Sequence, residues 1–267
     1  MAEAMIAGVL KRGLMEPARI HISHPRAERR HVLESRYGVQ VHEVNLDAMQ
    51  SSEIVVLTVK PQTLRSVLEE LRGRMQPEQM VLSIVAGAPV EAVATGLLHS
   101  AVARAMPNTP AQIGEGMTVW TSTEQVGEGQ REQVRALLGS LGRELWFVDE
   151  KAVDMATALS GTGPTYILLV MEALIDAGVH MGFSRRVSEE LVQQTILGSV
   201  LFARETGKHP AELRNMVTSP GGTSAEAIYQ MEKGGLRTVL SRAVYAAYER
   251  TVQLSEAATR SIGDGQG

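Results

Sequence analysis

Ile54-Val55-Val56-Leu57-Thr58-Val59-Lys60-Pro61 reads as a strand followed at once by the start of a helix. The first six residues are a continuous β-rich run, apolar apart from Thr58 and mostly β-branched, as expected of a strand covered on both faces. Pro61 suits a first helical position, where no N–H is needed, and helical apolar spacing continues to Leu71. The same unit recurs on both sides. Residues 1–10 have helical spacing with Met5, Ile6, Val9 and Leu10 apolar, and Gly13 ends the helix. Residues 18–23 predict a strand, and 26–37 a charged helix stopped by Gly38. Further strands are expected at 80–85, 101–106, 117–120 and 145–148, with a helix at 130–141. Strands alternating with helices imply a parallel sheet with crossover connections.

Beyond Asp149 the strand pattern stops. Asp149 is placed to cap a helix running to Leu159, which Gly161-Thr162-Gly163-Pro164 should break. Residues 165–182 are apolar nearly all round, so that helix belongs inside a bundle or between subunits. Helices follow at 185–206, 210–217, 223–233 and 236–258, and the Gly-rich tail 263–267 is expected to be disordered. The division expected is therefore an α/β nucleotide-binding domain over 1–149 and an all-α dimerisation and substrate domain over 150–262.

Composition excludes several classes. The chain has 267 residues, enough to bury a core without staples, and no cysteine, which fits a reducing compartment such as the cytoplasm. Net charge is -4 with no basic patch interleaved with aromatics, so no nucleic-acid partner is expected. No secretory signal pattern opens the chain. The most apolar run, 166–174, is broken by Glu172 and followed by Asp176, which reads as too short and too charged to span a membrane. His21 and His24 form a pair without a third ligand, so no metal is expected.

Ligands of open α/β sheets sit at the carboxyl ends of the strands. The loops there are Ser23-His24-Pro25-Arg26, Val59-Lys60-Pro61, Ala86-Gly87-Ala88 and Met106-Pro107-Asn108-Thr109-Pro110. A dinucleotide fold selective for NAD places a carboxylate after its second strand. Ser23, His24 and Arg26 stand there instead, with Arg29 and Arg30 one turn on, and these groups suit a 2′-phosphate and hence NADPH, with NADH as the alternative. A second loop lies in the helical part: Ser219-Pro220-Gly221-Gly222-Thr223-Ser224-Ala225-Glu226. Thr223 with Glu226 three residues on has the pattern of a capping box. The first free N–H groups of that helix, beside the hydroxyls of Ser219, Thr223 and Ser224, would make a site for a small carboxylate.

Four motifs in this order, Val59-Lys60-Pro61, Met106-Pro107-Asn108-Thr109-Pro110, Ser160-Gly161-Thr162-Gly163-Pro164-Thr165-Tyr166 and Val217-Thr218-Ser219-Pro220-Gly221-Gly222-Thr223-Ser224, resemble Δ1-pyrroline-5-carboxylate reductases over nearly the whole chain. The resemblance implies a Rossmann domain that binds NAD(P)H, a helical domain that intertwines with a partner's in a homodimer or higher homo-oligomer, and hydride transfer to a cyclic imine that yields L-proline. It places Ser224 at the catalytic position, and Ser219, Gly221, Gly222, Thr223 and Ser224 around the substrate. It places Met1, Ala2, Ser23, His24, Arg26, Val59, Lys60, Pro61, Ala86, Gly87 and Asn108 around the cofactor.

Departures from the family pattern are mild at Ser224, where threonine is usual, and at Thr162 and Thr165, where serine and alanine are usual. The larger one lies at the start. The family opens with a strand and Gly-x-Gly-x-Met-Ala, of which Met1-Ala2 matches only the end. The central first strand and both glycines are absent, which should orphan roughly ten backbone groups at about 1–3 kcal/mol each. The expectation is that Met1 is an internal methionine of a longer reading frame. Two further readings stay open: a related β-hydroxyacid-type dehydrogenase, which would need a lysine and an asparagine that 165–182 lacks, and a cofactor-deficient truncated relative that only dimerises.

Overall fold

The computed structural model describes residues 1–263. Its first compact unit comprises Met1–Pro164 together with the returning segment from Ala246, and its second is Thr165–Tyr245. By packing, then, the segment after Asp149 and the last turns of the chain belong with the sheet.

In chain order the first unit runs α1 (Ala2–Lys11), β1 (His21–Ser23), α2 (Ala27–Tyr37), β2 (Gln40–His42), α3 (Asn45–Gln50), β3 (Ile54–Leu57), α4 (Pro61–Leu71), β4 (Met80–Ser83), α5 (Val90–Leu97), β5 (Val102–Met106), β6 (Gly116–Ser122), α6 (Glu128–Gly139), β7 (Gly142–Trp146) and α7 (Lys151–Ala156). α2 stops where expected, because Gly38 takes φ 68° and its N–H donates back to Glu34. Pro61 is the first residue of α4, behind the Lys60 cap. The expected strand at 18–23 is shorter, since Pro17–Arg19 forms a 3-10 turn.

The strands form two sheets, β1-β2 and β3-β4-β5-β6-β7. All pairs are parallel except β5 with β6. A wholly parallel sheet was expected. The connection from β5 to β6 carries only a 3-10 turn, Thr109–Ile113, instead of a crossover helix, and a short connection returns the chain antiparallel. β4 and β5 are interior and almost wholly buried. β3 is not: Ile54, Val55 and Val56 are half-buried, contrary to the reading of a strand covered all round. Its two faces are packed, but one of its edges has no neighbouring strand among the described residues.

One core joins Ala4 and Met5 of α1 to Met80 and Leu82 of β4, with Ile54 and Val56 of β3 against it. A second, on the opposite sheet face, joins Met49 of α3, Leu57, Leu64 and Val81. A third joins Ile6, Leu33 and Val39, with Ile22 and Val41 against them. α1 thus packs on both sheets.

After α7 the helix does not break. Thr157–Gly161 is a π-helical turn, with Thr162 N–H donating to Thr157 at 2.8 Å, and α8 (Gly163–His180) continues it. Pro164 has no N–H to offer the Ser160 carbonyl one turn back, and that carbonyl accepts from Asn108 Nδ2 at 3.0 Å instead. Lys151–His180 is therefore one continuous helix of 30 residues, long and apolar enough by length and composition to cross a membrane. The run expected to be too short is only part of it. In the second unit α9 (Arg185–Thr206), α10 (Pro210–Met216) and α11 (Thr223–Lys233) follow, and α12 (Leu236–Gly263) runs on into the first unit. Much of α8 and α9 is apolar and exposed, including Ile167, Leu168, Leu169, Leu197 and Val200. Gly263 closes α12, and the remainder of the expected irregular tail, 264–267, lies outside the described residues.

Candidate active site

The loop before α11 is set by two glycines. Ser219-Pro220-Gly221-Gly222 is a turn closed by the Gly222 N–H donating to the Ser219 carbonyl at 3.0 Å. Gly221 has φ 72°, the left-handed conformation that the third position of a type II turn requires after proline. A Cβ on Gly222 would lie 2.5 Å from Ser219 Oγ. Gly222 itself is the N-cap, so Thr223 is already the first helical residue and the expected capping box does not form. Glu226 accepts instead from Gln230 at 2.9 Å.

This leaves the N-terminus of α11 more open than expected. The cap has no side-chain bond. Ala225 and Glu226 donate back to the Gly222 carbonyl at 3.1 and 3.3 Å. The N–H groups of Thr223 and Ser224 have no acceptor among the described residues, and neither do the hydroxyls of Ser219, Thr223 and Ser224 have partners there. Ser224 is half-buried. Unpaired N–H groups at the positive end of a helix dipole, with hydroxyls around them, favour a small anion. Before the turn, Thr218 donates to the Arg214 carbonyl at 2.7 Å, and Arg214 Nε is buried without a partner among the described residues.

The expected cofactor residues stand in the first unit. At the carboxyl end of β1, Ser23 Oγ donates to Asn45 at 2.5 Å. His24 Nδ1 accepts the Arg26 N–H at 3.1 Å. That bond fixes the tautomer of the neutral ring and leaves Nε2–H as a free donor. Burial, then the neighbouring Arg26 guanidinium, lowers the His24 pKa, so the ring is neutral at pH 7. Arg26 has no side-chain partner among the described residues and is exposed. Arg29 and Arg30 are occupied. Arg29 binds Glu3 at 2.5 Å, while Arg30 binds the His24 carbonyl at 2.7 Å and Glu43 at 3.1 Å. Of the three arginines, Arg26 alone is available to a phosphate. His21 pairs with His42 across the strands at 3.0 Å, not with His24.

Met1 is the N-cap of α1 and Ala2 its first residue, with no side-chain cap. Val59 is half-buried before Lys60 and Pro61, which are exposed at the start of α4. Ala86 is half-buried, and Gly87 has φ 70°. A Cβ on Gly87 would meet Leu254 Cβ of α12 at 2.9 Å, so packing alone already demands glycine there. Asn108 is committed inside the protein. Its Nδ2 donates to the Ser160 carbonyl at 3.0 Å, and its Oδ1 accepts the Met117 N–H at 2.9 Å. It ties the π-helical turn to the loop after β5, and its side chain has little capacity left for a ligand.

Arg104 went unread in the sequence. It is 2% exposed in β5 and binds Glu150 at 2.7 Å and Asp154 at 2.6 Å. Glu150 also accepts the Val90 N–H at the start of α5, and Ser255 of α12 bonds Asp154. The signal was present: a lone charge in the apolar run Val102-Ala103-Arg104-Ala105-Met106 must have a buried partner.

Known proteins resemble the chain along its length. Residues 150–254 match the family model for pyrroline-5-carboxylate reductase dimerisation, and residues 1–87 match that for NADP oxidoreductase, coenzyme F420-dependent. A pyrroline-5-carboxylate reductase of Synechocystis sp. is 38% identical over 256 residues, covering 96% of this chain and 95% of that protein. The structure of a pyrroline-5-carboxylate reductase from Coxiella burnetii superposes with a TM-score of 0.88 at 32% identity, covering 95% of this chain and 94% of that one. The Plasmodium falciparum pyrroline carboxylate reductase, solved with NADP bound, gives a TM-score of 0.86 at 29% identity, covering 95% and 94%.

Proposed function

The chain belongs to the pyrroline-5-carboxylate reductase family, and on that premise we propose that it is a cytoplasmic oxidoreductase of amino-acid biosynthesis, reducing Δ1-pyrroline-5-carboxylate to L-proline with NADPH. It works as a homodimer or higher homo-oligomer built from the segment that matches the dimerisation family, whose exposed apolar helices need a partner. The reading needs no metal, nucleic acid or membrane. Neither a β-hydroxyacid-type dehydrogenase nor a purely dimerising relative is favoured by matches that span both parts of the chain.

The observation that carries the reading is the open N-terminus of α11. The N–H groups of Thr223 and Ser224, reached past Gly221 and Gly222, hold the substrate carboxylate, and Ser219 borders it. Ser224 Oγ holds the ring nitrogen, directly or through an ordered water, and keeps a proton at that atom. A protonated imine is already electrophilic, so placement of the reactants at about 3–3.5 Å does most of the work. When bound, NADPH supplies the hydride. Ser23, His24 Nε2–H and Arg26 fit its 2′-phosphate, because no carboxylate free to bind a ribose hydroxyl instead stands among them. The Met1-Ala2 end of α1 would hold the pyrophosphate. Val59, Lys60, Pro61 and the backbone of Ala86, Gly87 and Asn108 would border the nicotinamide ribose.

The test follows NADPH oxidation at rising pyrroline-5-carboxylate, with proline measured by mass spectrometry. The expected outcome is stoichiometric proline, and a kcat/KM lowered at least tenfold in Ser224→Ala at unchanged melting temperature. Unchanged kinetics would remove Ser224 from the mechanism. NADPH binding without imine-dependent oxidation would remove the reductase reading.

A further inference from the structure

We infer that Arg104 is a positioning residue for the proposed reduction: from inside the sheet it holds together the two loops, 86–90 and 106–108, that on the cofactor assignment above would border the nicotinamide ribose. Its guanidinium joins two carboxylates one turn apart at the start of α7. Nη1 binds Glu150 Oε1 at 2.7 Å, and Nη2 binds Asp154 Oδ1 at 2.6 Å. The same Glu150 oxygen accepts the Val90 N–H at 2.9 Å, where the loop after β4 enters α5. The same Asp154 oxygen accepts from Ser255 Oγ of α12 at 3.4 Å. Leu254, next to Ser255, closes on Gly87, where a Cβ would lie 2.9 Å from its own. One buried cation therefore reaches the 86–90 loop from two sides, through Glu150 and through α12.

The other loop is held by the same run of helix. Beyond Arg104 in the chain, Asn108 Nδ2 donates to the Ser160 carbonyl at 3.0 Å, in the π-helical turn that follows α7. Met106 lies between these two points, and a Cβ on Gly161 would stand 3.3 Å from its Cε. β5 and residues 150–161 are thus fastened at both ends of the stretch that leads to Asn108. Charge and shape explain why the cation is an arginine. Glu150 and Asp154 stand at helical neighbour spacing, where like charges repel. The planar fork serves both carboxylates at once and fixes their separation, whereas a lysine ammonium is a single point charge on a flexible stem. Without the cation Glu150 is free to swing away from Asp154, which releases the Val90 N–H and lets the 86–90 loop shift against 106–108. Stability alone does not call for this arrangement, because well-packed apolar side chains often serve as well as a buried ion cluster. At 2% exposure, Arg104 leaves no room for water to take over its bonds.

The test compares the whole chain with Arg104→Met and Arg104→Lys, in amide spectra recorded without cofactor and in turnover with NADPH and its C4-deuterated form. In Arg104→Met the amides of Ala86, Gly87, Ala88 and Val90 should shift together with those of Met106 and Asn108. Its kcat should fall by about tenfold or more, as small misplacements of reacting groups produce. The deuterium isotope effect on kcat should rise, while KM for the imine stays constant. Arg104→Lys should recover part of kcat and shift fewer of these amides. Glu150→Ala, at a side chain 28% exposed, reads the same arm where Arg104→Met does not fold: the 86–90 amides should shift and Asn108 should not. Unmoved loop amides in Arg104→Met, or in Glu150→Ala if the first variant is unfolded, would overturn the positioning role. So would moved loops with kcat and the isotope effect unchanged, or a change confined to KM. A wild-type chain that binds NADPH without oxidising it when the imine is added would remove the reductase reading, and the amide shifts would still decide whether Arg104 holds the two loops.

Discussion

The loop at 219–224 and the strand ends proposed to hold the cofactor are built differently. The loop is complete within six residues. Pro220, Gly221 and Gly222 satisfy every conformational demand of the turn locally, and α11 supplies the free N–H groups. The proposed cofactor side draws on the ends of α1, β1, β3, β4 and β5, so it would be only as well placed as the strands that carry it. Ile54, Val55 and Val56 of β3 stay half-buried at an open edge, while β4 and β5, of no more apolar sequence than β3, are sealed. Burial of a strand is decided by its neighbours, and a site made of strand ends inherits that dependence.

The largest expected effect lies in the sheet half. Arg104→Ala leaves Glu150 and Asp154 facing each other without their cation, and should destabilise the first unit by about 3–5 kcal/mol in urea unfolding. The amides of residues 219–224 should stay unshifted. A loss under about 1 kcal/mol, or a shifted loop, would break the contrast between a self-contained loop and a scaffold-dependent site.

Next comes Gly222→Val, whose Cβ would collide with Ser219 Oγ. It should lower kcat/KM for the imine by about 100-fold, or ~2.7 kcal/mol, while NADPH affinity measured by fluorescence stays constant. Weakened NADPH binding would show that the two parts are not separable. Arg26→Ala should raise the Kd for NADPH about tenfold, or ~1.4 kcal/mol, and leave that for NADH unchanged. Arg29→Ala, by contrast, should act on stability, because Arg29 is held by Glu3.

The smallest effect concerns Glu3, which Arg29, Tyr37 and Arg36 surround. The Arg29 bond, then that of Tyr37, holds its carboxyl below the usual value of 4.5. Its unfolded pKa is the higher one, so the stabilisation is present above about pH 4.5 and fades as pH falls through the folded value. Glu3→Gln should cost about 0.5–1 kcal/mol at pH 7 and should flatten the acid limb of a stability-against-pH curve. An unchanged acid limb would place the acid sensitivity elsewhere.

Much of this was legible in sequence, for identifiable reasons. Gly38 and Pro61 mark boundaries that local backbone chemistry decides, and the structure places them there, while the strand read over 54–59 begins at Ile54 but ends at Leu57. The Ser219–Gly222 turn was legible because its determinants are contiguous. Gln40–His42, Asn45–Gln50 and Val90–Leu97 were not read, the first two being too short to show a period. The antiparallel β6 depends on what the connection lacks. The π-helical turn depends on Asn108, which is 52 residues away from Ser160. Capping was misplaced by one residue because a glycine N-cap leaves no side-chain signature.

The grip on the carboxylate is tested most directly by an amide titration of the chain by nuclear magnetic resonance, with L-proline in one series and pyrrolidine, the same ring without the carboxylate, in the other. The expected result is saturable shifts at Gly222, Thr223 and Ser224 with L-proline and none with pyrrolidine. Equal shifts with both ligands, or L-proline shifts confined to residues outside 219–224, would contradict the assignment.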